Sequence, residues 1–179
     1  MKKIISMILA LILMFTLASC TKSTAINMAD ISTPALEGIP KTAYGIQFET
    51  NEDWTIVVNS IYTYVYLTEN TPCFIMFMEP MNTGTGRFTK TEVEGAAKIF
   101  SEDLGSNATV GDAYQLVLDG KDVWAVEVTG EMLGLQVKIT IWLYRDGTDT
   151  YTWMYLSPVE EYETYLPYAQ ALVKSMKLP

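Results

Sequence analysis

Apolar and polar residues alternate along much of the chain, which is the pattern of β-strands with one buried face. The alternation is clear over residues 44–48 and again from residue 112 to residue 157. In the second stretch it is interrupted by two Asp-Gly pairs, Asp119-Gly120 and Asp146-Gly147. Such pairs accept the positive φ angles of tight hairpin turns. The stretch therefore predicts a four-stranded antiparallel meander.

Three further strands are predicted before residue 80. Residues 54–58 predict a short strand, and residues 62–68 predict a second one with clear alternation. Residues 73–79 are apolar at successive positions, so both faces of that strand need to be covered. We therefore expect this third strand to lie inside a sheet rather than at its edge.

Two helices are predicted, one between the strands and one after them. The first begins near Thr89, where Thr89 with Glu92, or Thr91 with Glu94, fits a capping box. Its apolar residues recur at helical spacing: Val93, Ala96, Ala97, Phe100 and Leu104. The second helix is predicted to begin at Ser157-Pro158, with the serine as cap and the proline in the first turn.

The order of elements is therefore strands, helix, four strands, helix. A helix with one apolar stripe needs a sheet face to cover, and hairpin connections give antiparallel pairing. We expect an α+β domain in which a predominantly antiparallel sheet of about six to seven strands is flanked by two helices.

This order resembles the Mog1p/PsbP-like fold, an antiparallel sheet flanked by helices that several bacterial lipoproteins and a photosystem accessory protein share. Three segments carry the resemblance: the strand, polar turn and tryptophan of residues 44–54, the Val123–Val126 strand, and the closing Ala171–Met176. The resemblance covers residues 44–178. It carries over no catalytic residue.

The first 19 residues have the three regions of a secretory signal peptide. Lys2 and Lys3 precede an apolar run over residues 4–15, and small residues follow. The ending Leu17-Ala18-Ser19-Cys20 resembles the lipobox of bacterial lipoproteins, which implies a diacylglyceryl group on the Cys20 thiol and cleavage before it. The alternative is a transmembrane helix, but the run is shorter than the ~20 apolar residues that span a bilayer.

The expected organisation is a signal peptide over residues 1–19, a lipidated N-terminus and flexible tether over 20–42, and a single α+β domain over 43–179. The tether is predicted because this stretch is rich in small polar residues, contains Pro34 and Pro40, and shows no sustained apolar period. Two acyl chains hold a protein durably at a bilayer. We therefore expect a membrane-anchored protein on the extracytoplasmic side.

Charge and composition restrict the chemistry. The net charge is −9, and it becomes more negative when Lys2 and Lys3 leave with the signal peptide, so nucleic acid is not an expected partner. The chain has no histidine, which excludes serine–histidine and cysteine–histidine nucleophiles and histidine-based zinc sites. We expect no catalytic residue, no metal and no cofactor. A mechanism that uses only carboxylates is still open.

A row of three tyrosines is the first candidate ligand surface. Tyr62, Tyr64 and Tyr66 lie on one face of a predicted strand. Tyrosine combines a large apolar area with a polar edge, so such a row suits a recognition surface and also suits the space beneath a covering helix. Packing beneath a helix is the favoured interpretation.

A glycine-bearing loop before the first helix is the second candidate. Gly84, Gly86, Arg87 and Lys90 place two glycines and two cations just ahead of a helix N-terminus. These are the ingredients of an anion-binding loop. The alternative is an ordinary connecting loop, which the sequence favours because the phosphate-binding glycine motifs are absent.

The expected function is a non-enzymatic binding or accessory role at the extracytoplasmic membrane surface, with an envelope protein or a wall component as partner. The alternative is a carboxylate-dependent hydrolase acting on cell-wall glycan. Geometry separates the two, because such a hydrolase needs two carboxyl groups about 5–10 Å apart in a cleft. A shallow aromatic surface would instead favour binding.

Overall fold

A computed structural model describes residues 25–69 and 72–179. This part of the chain is mostly β-sheet with two helices. The strands are β1 (Ile26–Asn27), β2 (Ile39–Ala43), β3 (Ile46–Thr50), β4 (Thr55–Val58), β5 (Tyr62–Tyr66), β6 (Phe74–Met78), β7 (Met81–Asn82), β8 (Thr109–Val110), β9 (Tyr114–Leu118), β10 (Lys121–Met132), β11 (Leu135–Asp146) and β12 (Asp149–Pro158). The helices are α1 (Lys90–Glu102) and α2 (Val159–Ser175).

Ten strands form one sheet, in the order β1-β9-β10-β11-β12-β6-β5-β4, with β7 beside β12 and β8 beside β10. Strands β2 and β3 form a separate hairpin. β1 lies parallel to β9 and the other pairs are antiparallel. The predicted sheet, predominantly antiparallel with six to seven strands, is thus corrected to a mixed sheet of ten. The missed strands β1, β7 and β8 have two residues each, which is too short to show alternation.

Strands β10, β11 and β12 are the long strands of the sheet, with 12, 12 and 10 residues. Asp119 and Gly120 both have positive φ in the β9–β10 turn, as predicted. Leu133 and Gly134 form a similar turn between β10 and β11. The turn between β11 and β12 lies one residue later than predicted. Asp146 pairs with Asp149, so the two loop residues are Gly147 and Thr148 rather than Asp146 and Gly147. Gly147 alone has positive φ there.

Each face of the sheet has its own covering layer. On one face lie α2 and the β2–β3 hairpin, and Phe48 of β3 stacks on Phe77 of β6 with ring centroids 4.7 Å apart. On the other face α1 packs on β10 and β8, where it buries Val93 and Ala97. β6 lies between β5 and β12, inside the sheet, as its two apolar faces predicted.

The two helices begin differently. Thr89 caps α1 in a complete capping box with Glu92, which confirms the first of the two predicted pairs. The predicted serine cap of α2 is wrong, because Pro158 is the cap residue and makes no side-chain bond to the helix. The Ser157 hydroxyl is directed elsewhere: it lies 3.1 Å from Cys73 Sγ and donates to the Pro158 carbonyl at 3.1 Å.

The prediction of a flexible tether over residues 20–42 is wrong for the part that the structure describes, residues 25–42. Strand β1 pairs with β9, Met28 is buried in the core, and Lys174 Nζ of α2 donates to the Ile31 carbonyl at 2.8 Å. Strand β2, predicted as part of the tether, pairs with β3. The β1–β9 pairing and the Ile31–Lys174 bond join segments distant in sequence, so local composition could not reveal them. Strands β2 and β3 are instead neighbours in sequence, joined by a turn at Tyr44 and Gly45, which both have positive φ. The signal peptide and Cys20 lie outside the described residues.

Gly130 marks a close approach between β10 and the chain that follows α1. A Cβ atom at this position would lie 2.5 Å from Leu104 Cβ and 2.7 Å from the Leu104 carbonyl oxygen. The neighbouring Glu131 amide donates to that same carbonyl at 2.8 Å, which holds the backbone in place.

We predict that Gly130→Ala lowers the free energy of unfolding by about 1–3 kcal/mol, as overpacking does. Gly95→Ala in α1 is the matched control, because no atom beyond its chain neighbours and its own helix backbone lies within 4 Å of the added Cβ. That control should raise the free energy by about 0.5–1 kcal/mol, since alanine favours helix. Urea unfolding measures both changes. Equal effects of the two substitutions would contradict the close approach.

Candidate functional site

A cluster of aromatic and apolar side chains lies on the α1 side of the sheet, at the end formed by β4, β5 and β6. We call it the tyrosine face, and it consists of Val57, Tyr62, Tyr64, Tyr66, Phe74, Met76 and Met78. The register places these residues together: Tyr62 is opposite Met78, Tyr64 is opposite Met76 and Val57, and Tyr66 is opposite Phe74. Paired residues of antiparallel strands share a face, so the seven side chains form one surface.

The rings of this surface touch one another. The centroid of Tyr64 lies 5.9 Å from that of Tyr62 and 6.2 Å from that of Tyr66. Phe74 meets Tyr64 edge-on at 5.5 Å and lies 5.4 Å from Tyr66. Such contacts are the favoured geometries of aromatic pairs. The rings therefore support each other and form a preformed surface.

The tyrosine face is only partly covered. Tyr62, Tyr64 and Tyr66 are half-buried, and Val57 is 44% exposed. Helix α1 packs on β10 and β8, toward the other end of this face. The favoured interpretation, in which the tyrosine row packs beneath a helix, is therefore wrong: neither helix of the described residues covers it. The rings bury one another at the surface instead.

The aromatic residues of β11 and β12 contrast with this row. Trp153 and Tyr155 are fully buried on the opposite face, beneath α2, and Trp142 stacks on Trp153 with centroids 6.4 Å apart. Tyr155 also donates its hydroxyl hydrogen to the Tyr162 carbonyl at 3.0 Å. These residues belong to the core.

The tyrosine face carries no formal charge. The sequence has no charged residue between Asp53 and Glu69, a span that includes β4 and β5. Burial raises the pKa of Tyr64 above its ordinary value, and the neighbouring hydroxyls of Tyr62 and Tyr66 raise it further. The Tyr64 phenol is therefore neutral at physiological pH, and the three tyrosines add hydroxyl groups to an otherwise apolar surface. Such a surface can bind an uncharged apolar or hydrogen-bonding partner.

Both cations of the predicted anion loop are already paired with acids of the chain. Arg87 lies 3.2 Å from an Asp122 carboxylate oxygen, and Lys90 lies 2.9 Å from Asp112. Gly84 and Gly86 adopt positive φ angles in the loop. Each basic group thus faces an acid of the chain itself, and little free positive charge is left for an external anion.

The N-terminus of α1 is occupied in the same way. The Glu92 carboxylate accepts hydrogen bonds from the Thr89 amide at 2.7 Å and the Thr89 hydroxyl at 2.8 Å. These bonds lower the pKa of Glu92. Arg145 also joins the loop, with its guanidinium 3.8 Å from the Phe88 ring centroid and a bond to Thr83 Oγ1 at 3.2 Å. Its role was not visible in the sequence, because Arg145 lies on a distant strand.

A cleft of about 510 Å³ is a further candidate site, and sequence reasoning did not find it. It lies between α2, the loop before β4 and the chain that follows β5. Its lining includes Asp53, Trp54, Glu69, Tyr165 and Tyr168. The two tyrosine rings are 6.5 Å apart, and Tyr168 is 39% exposed. The three segments are far apart in sequence, so no local pattern could have predicted their meeting.

Cys73 is a buried free thiol. Burial raises its pKa above the ordinary range, although the bond with Ser157 works in the opposite direction. The thiol is therefore protonated and inaccessible, as expected of a packing residue.

Over residues 25–69 and 72–179 there is no group of three acidic, cysteine or histidine side chains that could hold a metal ion. Within the same ranges, no helix has the length and apolar character needed to cross a membrane.

Comparison with solved structures identifies the fold. The cyanobacterial PsbP protein (CyanoP) of Synechocystis superposes on 90% of this chain and 98% of its own length, with a TM-score of 0.55 and 12% identity. LpqN of Mycobacterium tuberculosis, a protein involved in cell envelope biogenesis, covers 86% of this chain and 88% of its own, with a TM-score of 0.49 and 16% identity. This protein therefore has a PsbP-like fold, as the CyanoP superposition shows.

Other comparisons add little. A structure from Bacteroides thetaiotaomicron matches 75% of this chain with a TM-score of 0.45 and 9% identity, and this chain spans only 45% of that protein. No family model matches the chain, and no curated protein matches it. At these identities the comparisons establish the fold, and the function has to be argued from the site.

We predict that Tyr64→Ala and Tyr155→Ala differ sharply in their effect on stability. Tyr155→Ala should lower the free energy of unfolding by about 3–5 kcal/mol, as deletion of a large core ring does. Tyr64→Ala should cost about 1 kcal/mol, because its half-buried ring removes less apolar area from water. Urea unfolding of the two variants tests this difference. A loss at Tyr64 as large as that at Tyr155 would place the ring in the core.

Proposed function

We propose that this protein is a lipid-anchored protein of the cell envelope that binds another envelope component through the tyrosine face and carries out no catalysis. The observation that supports the binding role is the preformed, uncharged and partly exposed set of rings on β5 and β6. Large aromatic side chains with polar edges dominate the binding energy of many interfaces.

The anchoring part of the proposal rests on the sequence of residues 1–20, in which a signal peptide leads into the Leu17–Cys20 lipobox. Because β1 begins at Ile26, a lipid on Cys20 would hold the sheet within about 20 Å of the bilayer, the reach of six extended residues. This is much closer than a tether over residues 20–42 would allow. Strand β1 is one edge of the sheet and β4 is the other, so the tyrosine face lies at the end remote from the anchor.

One observation supports the alternative, a carboxylate-dependent hydrolase: two carboxylic acids, Asp53 and Glu69, line the same cleft. Both acids are exposed, whereas the acid of a glycosidase is held in an environment that favours its protonated form. The aromatic rings of Tyr165 and Tyr168 beside them suit contact with a ligand. The cleft therefore serves as the comparison site in the binding experiment below.

We predict that Cys20→Ser moves the protein from the membrane fraction to the soluble fraction, because serine offers no thiol for the acyl group. Two acyl chains anchor durably, so the wild-type chain should sediment with membranes in high salt. Fractionation followed by immunoblotting measures the shift. The Cys73→Ser variant, which leaves Cys20 in place, is the control. A Cys20→Ser chain that stays membrane-bound would contradict lipid anchoring.

We predict that Tyr64→Ala reduces the amount of envelope partner cross-linked to the anchored protein by about tenfold, which corresponds to a loss of about 1.4 kcal/mol. Tyr168→Ala is the matched control, because it removes an exposed tyrosine from the cleft instead. Cross-linking in intact cells, followed by affinity capture through a C-terminal tag, measures both. If Tyr168→Ala abolishes capture and Tyr64→Ala does not, the binding site is the cleft.

A further inference from the structure

Strand β4 ends the ten-stranded sheet on the side remote from β1. Its inner edge pairs with β5 from Thr55–Tyr66 to Val58–Thr63. No strand of the described residues pairs with its outer edge. The β2–β3 hairpin does not seal that edge, since a groove of about 500 Å³ lies between β2 and β4. Its lining includes Ile39, Lys41, Glu52 and Ile56.

The turn between β4 and β5 determines which backbone groups are free. The Asn59 amide donates to the Tyr62 carbonyl at 2.9 Å, so these two residues form a hydrogen-bonded pair. Hydrogen-bonded and non-hydrogen-bonded pairs alternate along an antiparallel ladder. Val57 and Tyr64 are therefore a bonded pair, and the amide and carbonyl groups of Ile56 and Val58 point away from β5.

The side chains of this edge lack the usual protection. Natural edge strands carry charged residues, proline or bulges that prevent further pairing. Thr55–Val58 contains none of these, and Val57 and Val58 are 44% and 69% exposed. The nearest charged residues in the sequence are Asp53 on one side and Glu69 on the other. An acidic chain thus presents an uncharged, β-branched strand whose outward hydrogen-bonding groups pair with no strand of residues 25–69 and 72–179.

We propose that a second copy of this chain pairs antiparallel with β4 about a two-fold axis at Val57, joining the two sheets. In this register Ile56 pairs with Val58 of the other copy, and their outward groups form four hydrogen bonds. Val57 then lies opposite Val57 of the other copy in a non-hydrogen-bonded pair. A two-fold contact uses the same patch on both subunits, and this register satisfies that condition.

Charge is the reason to favour a second copy over a basic partner. Two copies that each carry a net charge of −9 repel each other overall, so they need an uncharged surface at which to meet. Strand β4 itself is uncharged, so two copies can pair along it without bringing like charges of the strand together. The strand offers a basic partner no carboxylate, because the nearest acids, Glu52 in the groove and Asp53 before the strand, lie outside its four residues. This inference goes beyond the proposed function, because it needs neither the lipid nor a ligand on the tyrosine face.

Disulfide cross-linking of the full chain in producing cells, wherever the chain fractionates, tests the pairing. In a non-hydrogen-bonded antiparallel pair the Cα atoms are ~4.5 Å apart, within disulfide range. Val57→Cys should therefore form a covalent homodimer under mild oxidation. Val58→Cys is the matched control: its two copies would be about 8 Å apart, beyond the ~7 Å limit. Because Val58 is the more exposed residue, random collision would give the opposite order.

A mixing experiment covers the case in which Val57→Cys disturbs the fold. Ile56→Cys and Val58→Cys chains, expressed together with different tags, should form a mixed disulfide, whereas Ile56→Cys alone should not.

In the first experiment we expect at least about ten times more dimer from Val57→Cys than from Val58→Cys, since only the former meets the Cα distance limit. The unsubstituted chain gives the background from Cys20 and Cys73. Equal cross-linking of Val57→Cys and Val58→Cys, a disulfide to a different protein, or no dimer from either experiment would overturn the proposal.

Discussion

The long strands β11 and β12 are buried on both faces, and the rest of the fold follows from the need to cover them. Residues 139–144 of β11 and residues 152–157 of β12 are buried at every position. Burial of apolar area contributes roughly 25 cal/mol per Å², so neither face can be left in water. One covering layer is made by α2 with the β2–β3 hairpin, and the other is made by α1.

The two covering layers are unequal, and this inequality creates the candidate site. The hairpin and α2 cover β6 and β5 on their side of the sheet, where Ile75 of β6 and Val65 of β5 are fully buried. On the opposite face α1 stays near β8 and β10. The tyrosine face is the part of that side which α1 does not reach. Its rings reduce their contact with water by packing on one another, and they leave a surface that a partner can cover.

The position of the anchor and the free edge β4 are compatible in one membrane. The two-fold axis of an antiparallel strand pair runs perpendicular to the sheet. Two copies joined at β4 would therefore have their β1 strands at the two outer edges of the joined sheet. Both β1 strands would lie at the same distance from the bilayer when the joined sheet lies along it. In that arrangement the two tyrosine faces become neighbours, because Val57 and Tyr64 share a face. Pairing and binding would then involve one continuous surface.

Several features were determined by the sequence alone because their physics is local. The capping box of Thr89 and Glu92 and the Asp119-Gly120 turn depend on neighbours within a few residues. The apolar run of residues 74–78 required cover on both faces, although its place between β5 and β12 is set by pairing with a distant strand. The tertiary structure decided the rest. Strand β1 exists only through its pairing with β9, and the cleft of Asp53 and Tyr168 exists only where three distant segments meet. Whether the tyrosine row is covered was likewise not determined by its alternation, since the same pattern fits a helix above it or open water. The reach of α1 settled that question, and it depends on packing across the whole sheet.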